Sequence, residues 1–246
     1  MVLIGRRPDG ARAQAVRAPR TSPLALIIFV RHGQAMFGGA EYDRLSGVGI
    51  EQSRRAGRYL ADRIGEFDLA LLGPRVRHAG TFREMTMSGL TCNAVRIEPS
   101  VDEFANGDAL FRSAVRRRKE SGDPWPTEPR LQAKFYSEEI RRWWRGEPVG
   151  EPGGESAEAF DVRTRAWLAE MRTSHEDRKK ILVVTSAGLI ASIVCQALAA
   201  DRSHAFDVMM SIRNGSLTTV SVKIATLKLH SFNETAHLEK ALVTGI

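Results

Sequence analysis

The sequence predicts an α/β fold: a three-layer sandwich with a mainly parallel central sheet flanked by helices, plus a helical insertion. Short, continuously apolar segments such as Ala25–Arg31 are typical of strands that are covered on both faces. These segments alternate along the chain with longer segments of helical periodicity. Such alternation indicates parallel strands, because each helix carries the chain back to the edge of the sheet from which the next strand starts.

Local signals set the boundaries of the predicted elements. Ser46 can cap a helix that runs to about residue 64, and Gly73-Pro74 closes the second strand because both residues interrupt regular structure. Phe160 and Trp167 share one face of a later helix. The other elements are predicted, in chain order, as strand 68–72, a helix from about 75 to 88, strand 94–97, strand 181–185, helix 189–198 and a closing hairpin of strands 217–224 and 226–232.

The stretch from about residue 107 to 154 interrupts this alternation. It holds a basic run, a proline-rich turn at residues 124–129 and a helix that ends in Trp143-Trp144, and its last nine residues are rich in glycine and proline. We interpret the stretch as a helical insertion over one edge of the sheet. Residues 24–246 are therefore predicted to form one domain that carries this insertion.

Residues 1–23 differ in composition from the rest of the chain. They carry five arginines against one aspartate, which is +4 of the formal net charge of +7. We expect a disordered basic leader; a targeting peptide and upstream sequence from a misassigned start are the alternatives. The segment lacks the apolar core of a secretory signal.

Composition argues against two classes of protein. No apolar run approaches the roughly 18 residues that a membrane-spanning helix needs, so we expect no membrane partner. The only cysteines are Cys92 and Cys195, and their number and spacing match neither a disulfide framework nor a metal motif. Cys195 is predicted to be a buried, inert thiol. A reducing, cytoplasmic location is expected.

The basic run within the insertion raises the question of a polyanionic partner. Its members are Arg112, Arg116, Arg117, Arg118 and Lys119. A charge run of this kind is usually a solvated helix face, so we expect no nucleic-acid partner. The alternative is a lid that attracts polyanionic substrates.

Charged and polar side chains stand at the end of each of the first four predicted strands or shortly after it. In sheets of this type, ligands bind at the carboxyl ends of the strands. The residues found there are Arg31, His32 and Gln34 after the first strand, Arg75, Arg77 and His78 after the second, Asp102 and Glu103 after the third, and Thr185 and Ser186 after the fourth. We expect these side chains to meet at one edge of the sheet.

These residue types suit phosphoryl transfer. Arginine binds two phosphate oxygens at once and stays charged, and a helix N-terminus adds free N–H donors. A histidine kept neutral by nearby arginines can attack phosphorus, and a carboxylic acid can protonate the leaving oxygen. The pattern predicts a phosphate-handling site centred on Arg31-His32-Gly33.

The strand ends and the closing strands carry six distinctive blocks of residues. They are Arg31-His32-Gly33-Gln34, Leu45-Ser46-x-x-Gly49-x-x-Gln52, Gly73-Pro74-Arg75-Val76-Arg77-His78-x-x-Thr81, Val101-Asp102-Glu103-Phe104, Asn214-Gly215-Ser216-Leu217 and Phe232-Asn233-x-Thr235-Ala236-His237-Leu238. Together these blocks resemble the histidine phosphatase superfamily, the group that includes the cofactor-dependent phosphoglycerate mutases. The resemblance runs from about residue 26 to residue 238.

The resemblance implies a role for each residue of the pocket. His32 is expected to be the nucleophile and Glu103 the proton donor, with no metal and no other cofactor. The residues expected to bind phosphate are Arg31, Arg77, Ser186, Gln34 and His78.

One block departs from the family pattern. Where the family carries a second active-site histidine, this chain has Ser186, within Val183-Val184-Thr185-Ser186-Ala187-Gly188. A serine hydroxyl keeps a hydrogen bond but brings no positive charge, and losing one such stabilising group typically costs on the order of 10²–10³ in rate. His78, directly after Arg77, is the candidate to substitute for that histidine. Packing away from the pocket is the alternative for His78.

Three functions are compatible with these residues. The first is a phosphomonoesterase with a phosphohistidine intermediate at His32. The second, suggested by Ser186, is a pseudoenzyme that binds a phosphorylated ligand without turnover. A phosphoglycerate mutase comes third, because the short loop Phe37-Gly38-Gly39-Ala40 does not resemble the longer loop of the glycolytic mutases. We expect a phosphorylated small molecule as partner, and pairing into a homodimer is left open.

Overall fold

The apolar segments pair with one another as the strands of a single sheet. The computed structural model describes residues 25–36, 43–104, 107–151, 153–173, 180–223 and 226–245. In these ranges the strands are β1 Ala25–Arg31, β2 Leu69–Leu72, β3 Val95–Ile97, β4 Lys180–Thr185, β5 Leu217–Val222 and β6 Leu227–Glu234. Their spatial order is β3-β2-β4-β1-β5-β6. The first four are parallel, and β5 and β6 add an antiparallel hairpin at one edge, as predicted.

Helices alternate with the parallel strands and cover both faces of the sheet. In the described ranges the α-helices are α1 Gly47–Arg63, α2 Val76–Thr86, α3 Gly107–Glu120, α4 Pro129–Trp144, α5 Ala157–Thr173, α6 Ala187–Ala197 and α7 Ala205–Ser211. The predicted cap of α1 is confirmed, because the Ser46 hydroxyl accepts a hydrogen bond from the Gly49 amide at 3.1 Å. No helix of the described residues is both long and apolar enough to cross a bilayer.

Alternate residues of each strand face two separate apolar clusters. On β1, Ile27 and Phe29 belong to the cluster formed with α3 to α7, whereas Ile28 and Val30 belong to the cluster formed with α1 and α2. A strand buried on both faces needs apolar side chains at every position, which explains its continuous hydrophobic run. The predicted three-layer sandwich is confirmed, and α3 and α4 of the insertion join the larger cluster.

The parallel strands end at the same level. Arg31 at the end of β1 lies beside Thr185 at the end of β4, and Val184 of β4 lies beside Leu72 at the end of β2. Ile97 at the end of β3 pairs with Leu72 in turn. The residues that follow these strands therefore leave the sheet along one edge.

Several predicted boundaries need correction. Helix α6 begins at Ala187, two residues before the predicted start at 189, because the small residues Ala187 and Gly188 carry little apolar signal although both are buried. Strand β3 begins at residue 95 and is exposed, as an edge strand can be. β6 continues to residue 234. The predicted leader, the loop at residues 37–40 and residue 224 lie outside the described residues.

The basic run lies on α3 and is largely paired. Arg112 forms a salt bridge with Glu151, and Arg117 forms one with Glu139. The Glu139 side chain is buried in α4 and also accepts a hydrogen bond from Ser113 at 2.5 Å. Arg117 thus departs from the predicted solvated face, since its charge neutralises a buried carboxylate between two helices.

The closest approach of α1 and α2 is set by Gly57. A Cβ at this position would lie 2.5 Å from the carbonyl oxygen of Met85, whereas a Cβ at Gly47 of the same helix would meet nothing within 4 Å. We expect Gly57→Ala to destabilise the protein by about 1–3 kcal/mol, because the helices must separate. Gly47→Ala is the matched control and should be neutral or stabilising by about 0.4–1 kcal/mol. Urea denaturation measures both, and equal stability of the two variants would contradict the packing described.

Candidate active site

The backbone after β1 is held tightly at the edge of the sheet. The His32 amide donates to the carbonyl oxygen of Thr185 at 2.9 Å, and the Gly33 amide donates to the Thr81 hydroxyl at 3.0 Å. A Cβ at Gly33 would lie 2.3 Å from the carbonyl oxygen of Gly49, so only glycine allows α1 to approach this closely. These contacts fix the position from which the His32 ring enters the pocket.

The His32 ring is buried and has a defined tautomer. Its Nδ1 lies 2.8 Å from the carbonyl oxygen of Gly33, and because a carbonyl only accepts, Nδ1 carries the proton. Burial lowers the pKa of His32 well below its ordinary value of 6.5, and the charges of Arg77 and Arg31 lower it further. At neutral pH the ring is therefore uncharged and keeps a lone pair on Nε2. That is the state in which a histidine can act as a nucleophile.

Arg77 is one of two buried arginines at the pocket. It enters from the first turn of α2, and its Nη1 donates to the Asp43 carboxylate at 2.7 Å while its Nη2 donates to the Ser186 hydroxyl at 3.4 Å. The second oxygen of Asp43 accepts from the Val76 amide at 2.7 Å. Arg31 contributes a second guanidinium, anchored on the carbonyl oxygen of Ile212. Two guanidiniums at one strand edge are able to bind an anion such as a phosphoryl group.

The turn that carries Glu103 is fixed through its own backbone. The Thr185 hydroxyl donates to the carbonyl oxygen of Val101 at 2.6 Å. Arg163 of α5 donates to the carbonyl oxygens of Ser100 at 2.9 Å and Asp102 at 3.2 Å. The turn is therefore tied both to β4 and to α5.

The Glu103 carboxyl group lies at the N-terminus of α6. Its oxygens accept from the Phe104 amide at 3.0 Å and from the Gly188 amide at 3.3 Å. Burial raises the pKa of this carboxyl group, opposed by the charges of Arg75 and Arg77. A Cβ at Gly188 would lie 2.2 Å from a Glu103 oxygen, so the glycine leaves space for the acid. A carboxyl group that keeps its proton to higher pH is suited to act as a general acid.

Ser186 and His78 are in contact with each other. Ser186 is the N-cap residue of α6, but its hydroxyl makes no capping hydrogen bond. The hydroxyl oxygen lies 2.8 Å from Nε2 of His78 instead. The His78 ring is fully buried, and its centroid lies 5.7 Å from that of His32. His78 is therefore packed inside the protein in contact with Ser186, and its role in place of the second histidine stays a prediction.

Gln34 forms hydrogen bonds with residues at and just before α1. The side-chain oxygen of Gln34 accepts a hydrogen bond from the Ser46 hydroxyl at 2.9 Å, and the backbone amide of Gln34 donates to the side-chain oxygen of Gln52 at 2.8 Å. The structure thus brings six of the predicted residues together at one edge and gives Gln34 a contact with the start of α1. The six are Arg31, His32, Arg77, His78, Glu103 and Ser186.

Two residues of the site were missed by sequence reasoning. Asp43 contacts Arg77 across 34 positions of sequence, and Arg163 contacts the Glu103 turn across more than 60. Neither lies at the end of a predicted strand, so no local pattern marks them. Two other histidines form contacts elsewhere: His230 lies 2.8 Å from the Ser221 hydroxyl and His237 lies 3.0 Å from the carbonyl oxygen of Gly215.

A surface depression lies at the other end of α6. It is lined by Trp144, Asp161, Arg165, Asp201 and Arg202, among other residues. Two of its charged side chains neutralise each other, since Arg165 donates to Asp161 at 2.8 Å. The nucleophilic, cationic and acidic groups described above lie at the strand edge instead, and we place the candidate site there.

Comparison with protein families and curated proteins gives concordant matches. The family model of the histidine phosphatase superfamily (branch 1) matches residues 27–235. The 2,3-bisphosphoglycerate-dependent phosphoglycerate mutase of Azorhizobium caulinodans is 30% identical over 141 residues, which are 53% of this chain and 60% of that protein. The mutase of the same name from Rhizobium meliloti is 26% identical over 178 residues, 68% of this chain and 77% of that protein. The chain thus spans less than two thirds of the first of these relatives.

Solved structures with different activities share the fold. The alpha-ribazole phosphatase from Shigella flexneri superposes with a TM-score of 0.63 at 20% identity, covering 85% of this chain and 96% of that chain. Phosphoserine phosphatase from Entamoeba histolytica, in complex with 3-phosphoglyceric acid, superposes with a TM-score of 0.57 at 17% identity, covering 87% and 100%. At such identities the likeness establishes the architecture alone.

The anion site can be tested with inorganic phosphate. We expect Arg77→Ala to weaken phosphate binding by roughly tenfold to a hundredfold, because a charge-assisted contact contributes about 1.5–3 kcal/mol. Arg83→Ala, on the exposed side of the same helix, is the matched control and should leave the affinity unchanged. Isothermal titration calorimetry measures both. Equal affinities for Arg77→Ala and wild type would place the anion site elsewhere.

Proposed function

Since this chain belongs to the histidine phosphatase superfamily, we propose that it is a phosphomonoesterase that forms a phosphohistidine at His32. The observation that carries the proposal is the state of the His32 ring, neutral and with its Nε2 lone pair available beside Arg31 and Arg77. A nucleophile next to two guanidiniums is what attack on a phosphate monoester requires, because the charge of the phosphoryl group must be offset as the nucleophile approaches.

The first step transfers the phosphoryl group to His32. Arg31 and Arg77 bind its non-bridging oxygens, and Nε2 of His32 forms a bond to phosphorus while the bond to the ester oxygen breaks. Glu103 gives its proton to that oxygen, so that a neutral alcohol leaves. Ser186 and Gln34 complete the proposed phosphate-binding set, with His78 behind Ser186.

The second step returns the enzyme to its starting state. A water molecule attacks the phosphohistidine, and the Glu103 carboxylate takes the proton that the water loses. The bond between phosphorus and Nε2 breaks, inorganic phosphate leaves, and His32 is again neutral. No step uses a metal or another cofactor. The substrate class is a phosphorylated small molecule.

A pseudoenzyme that binds a phosphorylated ligand is the second candidate. It is favoured by Ser186, which stands where the resemblance implies a second histidine and adds no charge to the pocket. A phosphoglycerate mutase is the third candidate; the curated relatives bear that name. The short glycine-rich loop at residues 37–40 favours hydrolysis over transfer between phosphoglycerates.

Trapping the intermediate separates these candidates. We expect the wild type to hydrolyse p-nitrophenyl phosphate and to form an acid-labile phosphohistidine at His32, and we expect His32→Ala to lose both. His204→Ala, at an exposed histidine, is the control and should retain both. Quenched-flow mass spectrometry detects the intermediate. Phosphate binding without hydrolysis or a phosphohistidine would favour the pseudoenzyme, and efficient transfer between phosphoglycerates would favour the mutase.

The pH dependence tests the assignment of Glu103. Activity requires neutral His32, so kcat/KM should fall with decreasing pH through a pKa below 6.5. It also requires protonated Glu103, so kcat/KM should fall with increasing pH through a pKa above the ordinary range of a glutamate. Glu103→Gln should remove the alkaline fall and lower the rate for alkyl phosphates by about 10²–10⁴.

The leaving group provides the control for this test. p-Nitrophenolate leaves without a proton, so the loss in Glu103→Gln should be much smaller for p-nitrophenyl phosphate than for an alkyl phosphate. Glu138→Gln, at an exposed position of α4, should keep both limbs of the profile. An alkaline limb that persists in Glu103→Gln would assign the general acid to another group.

A further inference from the structure

A second histidine lies behind the pocket without reaching it. His78 is fully enclosed, and its ring packs so closely against the backbone that a Cβ at Gly73 would lie 2.2 Å from Nδ1. Its Nε2 lies 2.8 Å from the Ser186 hydroxyl, which is also within 3.4 Å of Nη2 of Arg77. Through hydrogen bonds, His78 can therefore act on a ligand by way of Ser186, while its ring also lies 5.7 Å from that of His32.

The neighbours of Ser186 determine the direction of its hydroxyl. Arg77 can only donate to the Ser186 oxygen. The bound phosphoryl group is an anion and can only accept, so the hydroxyl proton is best directed toward it. In this arrangement Nε2 of His78 donates its proton to the Ser186 oxygen. The serine proton is then free to be donated to the ligand.

The other nitrogen of the His78 ring agrees with this direction. Nδ1 faces the Gly73 backbone, and this proximity raises the pKa of the ring, but within the described residues the two groups do not reach the geometry of a hydrogen bond. A neutral imidazole carries a single N–H, and the nitrogen with a well-placed acceptor retains it. Burial, followed by the charges of Arg77 and Arg75, lowers the pKa of His78, so that the ring is neutral at pH 7.

We propose that His78 is a positioning residue that holds the Ser186 hydroxyl as a hydrogen-bond donor to the phosphoryl group, through the chain His78 Nε2–H to Ser186 Oγ–H to phosphoryl oxygen. The inference rests on the proposed function only in taking the pocket ligand to be a phosphoryl group. The hydrogen bond to the phosphoryl group is thus made by two residues together: Ser186 carries the donated proton, and His78 of α2 sets its direction. The charge of the pocket stays with the two arginines.

A double-mutant cycle tests the coupling between the two residues. Ser186→Ala and His78→Asn should each lower kcat/KM for p-nitrophenyl phosphate roughly tenfold to a hundredfold, the range of one hydrogen bond to a charged group. The double variant should be no worse than Ser186→Ala, because His78 acts only through that hydroxyl. His78→Gln, whose amide nitrogen can reach the Nε2 position, should restore most of the activity, whereas the shorter Asn should not.

Two further measurements do not depend on turnover. Affinity for inorganic phosphate should show the same coupling in the same four proteins. Two-bond ¹H–¹⁵N correlation spectra of the wild type should place the His78 proton on Nε2. Unfolding in urea separates a loss of stability from a loss of activity, and if His78→Asn does not fold, the tautomer and the His78→Gln variant still decide the question.

Each outcome bears on one proposal or on both. Additive effects of the two substitutions, or a His78 proton on Nδ1, would overturn the positioning role while leaving the phosphatase intact. Coupled phosphate binding without turnover would support the positioning role and overturn the phosphatase. A wild type that neither binds nor hydrolyses phosphate compounds would overturn both.

Discussion

The parallel pairing of β1 with β4 places Arg31 beside Thr185, and the contacts of the pocket build on that register. A strand slipped by one residue would exchange the side chains that β1 contributes to the two apolar clusters, and the close packing of both clusters disfavours that exchange. The core therefore fixes the register, and the register fixes where the chain leaves the sheet. His32 and Ser186 are the next residues on the two strands, so hydrophobic packing in the centre of the sheet sets the position of polar groups at its edge.

Burial acts on the acid and the bases of the pocket in opposite directions. It disfavours the charged form of every group, so it lowers the pKa of His32 and raises that of Glu103. One physical cause thus favours both the uncharged form of the His32 ring and the protonated form of the Glu103 carboxyl group. The two arginines stay charged in the same surroundings, because a guanidinium does not lose its proton in proteins. Arg77 forms a salt bridge with Asp43, which lowers the electrostatic cost of burying the guanidinium group.

The fold class and most of the site follow from local sequence patterns. Ala25–Arg31 is recognisable because a strand covered on both faces is apolar throughout, and the residues after such strands must meet at one edge. The exposed β3 and the true start of α6 were harder to place, since an edge strand and a helix cap carry little apolar signal. Asp43 and Arg163 could not be found in this way, because their contacts depend on how distant segments fold onto the strand ends. The direction of the hydrogen bonds around Ser186 likewise depends on three side chains that come from separate elements.

The Asp43 carboxylate forms a salt bridge with Arg77 and so places a negative charge beside the proposed phosphate site. A phosphate that binds here meets a cation that is already partly neutralised, so it gains less from Arg77 than it would from a bare guanidinium. Free inorganic phosphate, which has no other part to contribute, is the ligand most affected by this competition. An ester can offset the difference through contacts of its organic portion. In the proposed phosphatase, Asp43 would therefore favour release of inorganic phosphate over its retention, and contacts of the organic portion would contribute more to the choice of substrate than the phosphate itself.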